Sequence, residues 1–432
     1  MFAYYLNLAR RSLRRAPGLT AWTLLTLALG IAACMTTLTV YHVLAADPIP
    51  AKSARLFYVR LDASGLEGYV PGGKPNLQVT RRDGETLLRE AHAPRQAMTA
   101  SGGAMVQRGQ DQPRHTEVRF ATADFFPMFD APLAAGRTWS AAEDAAAARV
   151  VVLDAPSAER LFGGAAQALS QVLRVEGQPM RVVGVLAPWR PTPHFFDVTS
   201  GAFREPAALF VPFATAMQAK LARSGSASCW GDAPVSDVTA LDAPCDWLQY
   251  WVELKSADDA PAYTQYLQRY SAQQHEAGRF ARPPNVRLHS VMDWLATNRV
   301  VPPDVHLQLG LALAFLLVCV LCSVGLQLAK TLRRSNEIGV RRALGATRRD
   351  VFAQFMVESL VMGGVGCVLG LLLSWAGLAL VRAGQTDYAQ VVTLDAPMLL
   401  AAMGVSLVAA LLAGVLPALR AAGVSPALQI KS

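Results

Sequence analysis

The residue groupings that could do chemistry in this chain each lack a necessary member. Gly68 to Lys74 reads GYVPGGK, the spacing of a loop whose backbone amides cradle a nucleotide's phosphates. Such a loop needs Ser or Thr at the next position to hold Mg2+, and Pro75 stands there. His275-Glu276 opens like the helix of a zinc protease, but Arg279 occupies the position of the second His. No GxSxG nucleophile elbow occurs. Cys319-x-x-Cys322 has redox or metal spacing, yet it lies in a long apolar run without His or acid, where core packing is the stronger reading. The sequence therefore predicts no catalytic, cofactor-binding or metal-binding residues.

The elements that carry these residues are set by hydropathy. The chain has 432 residues, 52% hydrophobic and 17% charged, too apolar for an ordinary soluble protein of this length. A bilayer span needs about 20 predominantly apolar residues. Four stretches qualify: Leu19–Val43, Leu307–Ala329, Phe352–Val381 and Met398–Leu416. They hold no Lys or Arg, and Glu358 is their only acid. The predicted order is a basic amphipathic segment (1–18), a first span with stalk (19–46), an outer domain (47–306), a second span (307–329), a basic loop (330–350), a third span (352–381), a short outer loop (382–397), a fourth span (398–416) and a tail (417–432).

Charge assigns the sides. Lys330–Asp350 carries seven Lys or Arg against Glu337 and Asp350, and residues 1–18 carry four Arg and no acid. The stretch from Asp47 to His306 has 26 basic and 27 acidic residues, a net of −1. The positive-inside rule therefore predicts a cytoplasmic loop and cytoplasmic termini, with residues 47–306 outside. The basic balance reports topology and gives no reason to expect nucleic-acid binding. The first apolar run, about 25 residues, exceeds the 7–15 of a cleavable signal peptide, so it reads as a retained anchor. Cys229 and Cys245 alone lie outside and form a candidate disulfide worth roughly 3 kcal/mol at best. Cys34, Cys319, Cys322 and Cys367 fall inside spans as small apolar packers.

Within the outer region, strands are predicted at Leu56–Leu61, Arg149–Leu153, Val172–Val175, Arg181–Leu186, Leu209–Pro212 and Tyr250–Leu254. Helices are expected around Asp83–Glu90, Ala155–Phe162 and Ala260–Glu276. This alternation indicates a mixed α/β domain, and its size suggests two subdomains. The fold class is thus an α-helical membrane protein with four transmembrane helices and a large extracytoplasmic α/β domain. Gly363, Gly366 and Gly370 on the third span permit close helix packing, within one chain or between protomers. Glu358 reads as an interfacial acid that accepts hydrogen bonds or pairs with a nearby Arg. A proton relay is disfavoured, because the spans offer no further acid and His42 is their only His.

Several segments resemble the MacB/FtsX-like permeases of ABC transporters, the type VII or mechanotransmission class. Asn336–Asp350, NEIGVRRALGATRRD, is close to the family's EIG(I/V)xxALGAxxxxI stretch, and Phe355–Gly370 follows with an acid and a Gly-rich helix. Leu416–Leu428 resembles the family's PAxxAAxxxPxxAL ending. Asp124-Phe125-Phe126, Gly136-Arg137, Val150–Leu153, Leu161-Phe162-Gly163-Gly164 and Val182-Val183-Gly184-Val185 recur in the family's order. One departure is Gly325-Leu326-Gln327-Leu328, where many relatives have Asn.

The resemblance implies a non-catalytic permease subunit. ATP and Mg2+ would belong to a separate dimeric cytoplasmic ATPase, and the further partners would be a second permease copy or sister permease, a periplasmic adaptor and membrane lipid. It implies residence in the bacterial inner membrane. It also implies that the basic loop is a coupling helix, with Glu337, Ile338, Gly339, Val340, Arg341, Arg342, Ala343, Leu344 and Gly345 at the ATPase contact. Ile338, Val340 and Leu344 are the expected apolar anchors. Gly345 suits a helix end, and Thr347 or Asp350 suits the next cap. Export or extrusion of a substrate is the leading implied function. An FtsX-like control of a cell-wall hydrolase, or lipoprotein release without transport through the helices, is the alternative.

Overall fold

The computed structural model describes residues 16–231, 235–384, 388–389 and 395–423. Most of the basic N-terminal segment, the end of the tail and much of the short outer loop lie outside these. The chain divides into a compact unit at Ala46–Val300 and a second unit formed by the chain on either side of it.

In the Ala46–Val300 unit the strands join in one hydrogen-bonded order. It runs Val286–Ser290, Leu56–Leu61, Cys245–Glu253, Arg95–Arg108, Arg114–Ala121, Leu209–Pro212, Val150–Leu153, Gln178–Leu186 and Leu133–Gly136. Most neighbours are antiparallel, with parallel pairing at Val118↔Leu209 and Val150↔Arg181. Successive side chains of a strand face opposite ways. Phe57, Val59 and Leu61 accordingly enter one core with Met98, Val151 and Leu267. Leu56 and Tyr58 enter the other with Phe210, Trp251 and Trp294. Both faces are buried, which explains strands that read as continuous apolar runs.

Helices Arg81–Glu90, Ala155–Phe162 and Ala260–Glu276 supply Leu87, Ala158 and Leu267 to the first core. The second core is closed by aromatic residues, among them Phe125, Phe129, Phe195 and Phe196. Local signals set the helix ends. Asp154 accepts from the Ser157 amide at 2.9 Å, and Gly163, at φ +77°, ends that helix in the left-handed region.

Two features differ from the sequence reading. The strands form one continuous order in one compact unit, so the expected pair of subdomains is not separated. The long hairpin of Arg95–Arg108 and Arg114–Ala121 was not anticipated, because Ala, Ser and Gly dilute its apolar pattern. Its small residues make room for rings: a Cβ at Gly102 would stand 2.2 Å from Phe120, and one at Gly103 would stand 2.5 Å from His115.

Among the described residues, the second unit contains four helices long and apolar enough to cross a membrane: Pro17–Ala45, Pro303–Arg333, Arg348–Ala383 and Ala396–Gly423. The first, at 29 residues, is about 44 Å long at 1.5 Å per residue, more than the ~30 Å of hydrocarbon. It packs against the second and third helices, and the third packs against the fourth.

Glycines bring these helices close. A Cβ on Gly370 would meet Ile31 at 2.8 Å, and one on Gly363 would meet Ala410 at 2.2 Å. A Cβ on Gly366 would stand 3.4 Å from the Leu27 Cβ. These three therefore serve contacts within the chain. Cys34, Cys319 and Cys367 are buried as expected, but Cys322 is exposed on the helix surface. The second helix also takes in His306, whose ring packs edge-on against Tyr41 at 5.4 Å.

Candidate coupling site

The segment after the second membrane helix folds from strong local signals. The second helix continues past the apolar run to Arg333, so Lys330 belongs to a helix and not to a loop. A short helix, Ser335–Ala343, follows. It ends in paired bonds: the Ala346 amide donates to Arg341 O at 3.1 Å, and the Gly345 amide donates to Arg342 O at 3.2 Å. Gly345 has φ +103°, the left-handed conformation this ending requires. Thr347 then caps the third helix in a reciprocal box. The Asp350 amide donates to Thr347 Oγ1 at 3.2 Å, and the Thr347 amide donates to Asp350 Oδ2 at 3.0 Å.

The short helix has two faces of different character. Ile338 is 6% exposed and packs with Val351, Phe355, Ala418 and Ala421. Gly339 beside it is also buried. On the other face, Val340 is 57% and Leu344 84% exposed. Asn336 and Ala343 share that exposure, and the spacing 336, 340, 343, 344 places all four on one stripe. The nine expected contact residues thus separate. Ile338 and Gly339 anchor the helix inward, Val340, Ala343 and Leu344 face outward, and Gly345 makes the exposed turn.

The charged members hold the helix in place. Glu337 pairs with Arg341 at 2.7 Å and with Arg334 at 3.4 Å. Arg341 also donates to Gln354 Oε1 on the third helix at 3.0 Å. Arg334 reaches Glu358 at 3.6 Å, and Lys330 reaches the same carboxylate at 2.5 Å. Ser359 donates to Gln327 Oε1 at 2.9 Å. Arg342 donates to the carbonyl of Ala422 on the fourth helix at 3.4 Å.

Second helix, short helix, third helix and fourth helix are therefore tied together at one end of the bundle. A displacement of the short helix must move the others or break buried ion pairs. Glu358 is paired with a nearby Arg as the sequence suggested, with Lys330 as its nearer cation. Gln327, Gln354 and Ser359 were missed as members. Gln327, Lys330, Thr331 and Arg334 recur at helical spacing, and that signal could have found one polar face.

In the outer unit, Cys229 and Cys245 are joined in a disulfide across paired strands. GYVPGGK of Gly68–Lys74 contains a turn in which the Gly73 amide donates to Val70 O at 2.9 Å.

Comparison with known proteins bears on both units. Residues 20–270 match the MacB-like periplasmic core domain, and residues 309–426 match the FtsX-like permease C-terminal family. The macrolide export ATP-binding/permease protein MacB of Azoarcus sp. is 25% identical over 436 residues, spanning 98% of this chain and 58% of that protein. The pyoverdine export ATP-binding/permease protein PvdT of Pseudomonas syringae pv. tomato is 24% identical over 428 residues, spanning 96% and 57% respectively. The chain therefore spans somewhat over half the length of these relatives. The crystal structure of the periplasmic region of MacB from Actinobacillus actinomycetemcomitans aligns with a TM-score of 0.37 at 12% identity, over 56% of this chain and 92% of that one.

Proposed function

Because this chain belongs to the MacB/FtsX-like family of ABC transporter permeases, we propose that it is the membrane subunit on which a separate cytoplasmic ATPase acts through the helix Ser335–Ala343. The observation that carries this reading is the exposed Val340–Leu344 stripe on a helix otherwise fixed by ion pairs. An exposed Leu at the tip of a short amphipathic helix is a small apolar knob suited to a groove on a partner. The positive-inside charge of Lys330–Asp350 supports the cytoplasmic side for it, and with it both termini. ATP and Mg2+ are then the partner's.

The mechanism follows from rigidity. Closure of an ATPase dimer would draw together the short helices of two permease copies. Each short helix is tied to the second and third membrane helices through Arg334, Glu337, Arg341 and Glu358. The outer domain is joined in sequence to the first helix at Ala45–Ala46 and, through residues 301–302, to the second at Pro303, so motion of those helix ends reaches it through the chain itself. Four spans per copy favour work done on a substrate in the outer compartment, as export or extrusion. Partner binding favours one state only through contacts that differ between states.

Val340→Asp combined with Leu344→Asp tests the contact. Both side chains are exposed, so the variant should fold with an unchanged thermal transition. Co-purification of the cognate ABC ATPase from the native host should fall at least about ten-fold, as expected when ~1.4 kcal/mol or more of contact is lost. Full retention of the ATPase by the folded double variant would overturn the assignment. Gly339→Arg cannot serve as this test, because Gly339 faces inward.

A further inference from the structure

A cleft in the outer unit has its own chemistry. It encloses about 670 Å³ between the hairpin turn around Asp111 and the helix Ala155–Phe162. That size lies within the roughly 300–1,000 Å³ usual for small-molecule sites. Behind it lie Val106, Leu153 and Leu209, whose side chains are buried in the core. Three arginines line it, Arg108, Arg114 and Arg160, and the one acid on the lining is Asp111.

The contacts of these arginines are neutral. Arg160 Nη2 donates to Ser157 Oγ at 2.9 Å, and Ser157 is itself 2% exposed. Arg108 donates to the Leu161 carbonyl and lies over the Phe162 ring at 5.0 Å. Among the described residues, none of the three arginines is within ion-pair distance of a carboxylate. Elsewhere in the unit, Arg119, Arg279 and Arg282 are locked onto the buried acids Asp197, Asp83 and Asp62. At the cleft, a hydroxyl, a carbonyl and a ring orient two guanidinium groups, and Asp154 acts on Arg160 only at longer range, without an ion pair. The planar fork of Arg matches carboxylate and phosphate oxygens two at a time.

We propose that this cleft binds an anion bearing at least two carboxylate or phosphate groups, held by Arg108, Arg114 and Arg160. The site is independent of the coupling reading and can stand or fall without it. Its ligand could come from solution or from a lipid headgroup, and separate probes distinguish these sources.

The experiment is titration calorimetry on the full chain in a non-ionic detergent. The probes are citrate and pyrophosphate for soluble anions and a short-chain cardiolipin, whose headgroup carries two phosphates, for the lipid source. Saturable binding of at least one probe, weakening with added salt, is expected. Arg114→Gln and Arg160→Gln should each weaken it about ten-fold or more, the effect of losing one charge-assisted pair. Arg160→Lys should recover only part, because the fork is lost. Arg114 is exposed, so its variant keeps the wild-type melting transition and serves as the folded control. Two results overturn the proposal: no saturable binding of any probe, or binding unaffected by Arg114→Gln and Arg160→Gln in folded protein.

Discussion

Lys330 Nζ lies 2.5 Å from Glu358 Oε1, with 8% and 4% of the two side chains exposed. The pair joins the end of the second membrane helix to the third helix. Withdrawing two charges from water offsets most of what their attraction contributes, so the intact pair adds little net stability. Its value is positional, because either charge left alone is costly. Arg334 reaches the same carboxylate at 3.6 Å and passes the connection to Glu337 on the short helix.

Glu358→Leu should therefore destabilise the chain by about 3–5 kcal/mol, since Lys330 is left buried without its carboxylate. Adding Lys330→Met should restore most of that loss, because Arg334 still has Glu337. Thermal unfolding in detergent measures both. The same double variant should bind the ATPase but transmit its motion poorly, seen as ATP hydrolysis no longer responsive to the permease. A single Glu358→Leu variant that melts like wild type would remove the basis of this account.

The four membrane helices were legible because span length is a property of composition alone, and Thr347 was legible as a cap because capping is local. The partner of Glu358 was not. Hydropathy ended the second span at Ala329, yet a helix does not stop where its apolar residues stop, and Lys330 remains helical. The two faces of Ser335–Ala343 were equally hidden: Ile338 and Val340 are similar residues, and which is buried depends on where Val351, Phe355 and Ala418 lie. The single sheet order in the outer unit rests on pairings such as Val118↔Leu209, too distant in sequence for pattern reading to find. The arginine cleft likewise brings Arg108 and Arg160 together from different elements.

Adjacent glycines on the third helix should behave oppositely. A Cβ at Gly363 would stand 2.2 Å from the Ala410 Cβ, whereas nothing lies within 4 Å of one at Gly364. Gly363→Ala should force the third and fourth helices apart and cost about 1–3 kcal/mol, the usual range for overpacking. Gly364→Ala should be neutral or stabilising by up to ~1 kcal/mol, from helix propensity. Paired thermal melts of the two variants check this, and equal melting temperatures would contradict the packing described.

Acid should act on the outer domain through identifiable groups. Burial pushes Asp144 and Asp246 up to about 6 from 3.8, against amide bonds from Ala214 and Ser228 that favour the charged forms, with Asp62 adding repulsion at Asp246. Between about pH 4 and 6 the folded state keeps protons that the unfolded chain has released. Each aspartate therefore favours folding at low pH and loses that contribution as pH rises through about 6. Burial, with Arg119 next, holds His194 down at about 4, so His194 works in the opposite sense over the same range. Glu143, held at about 2 chiefly by Arg137, acts only at lower pH. The comparison must accordingly be made between variants. On going from pH 7.5 to 5, Asp144→Asn and Asp246→Asn should each lose about 1 kcal/mol more stability than the wild type, one pKa unit being worth about 1.4 kcal/mol. Tryptophan fluorescence melts at the two pH values measure this, since Trp139, Trp251 and Trp294 are buried in that unit. An unchanged pH response in both variants would mean that neither carboxyl takes up a proton in this range.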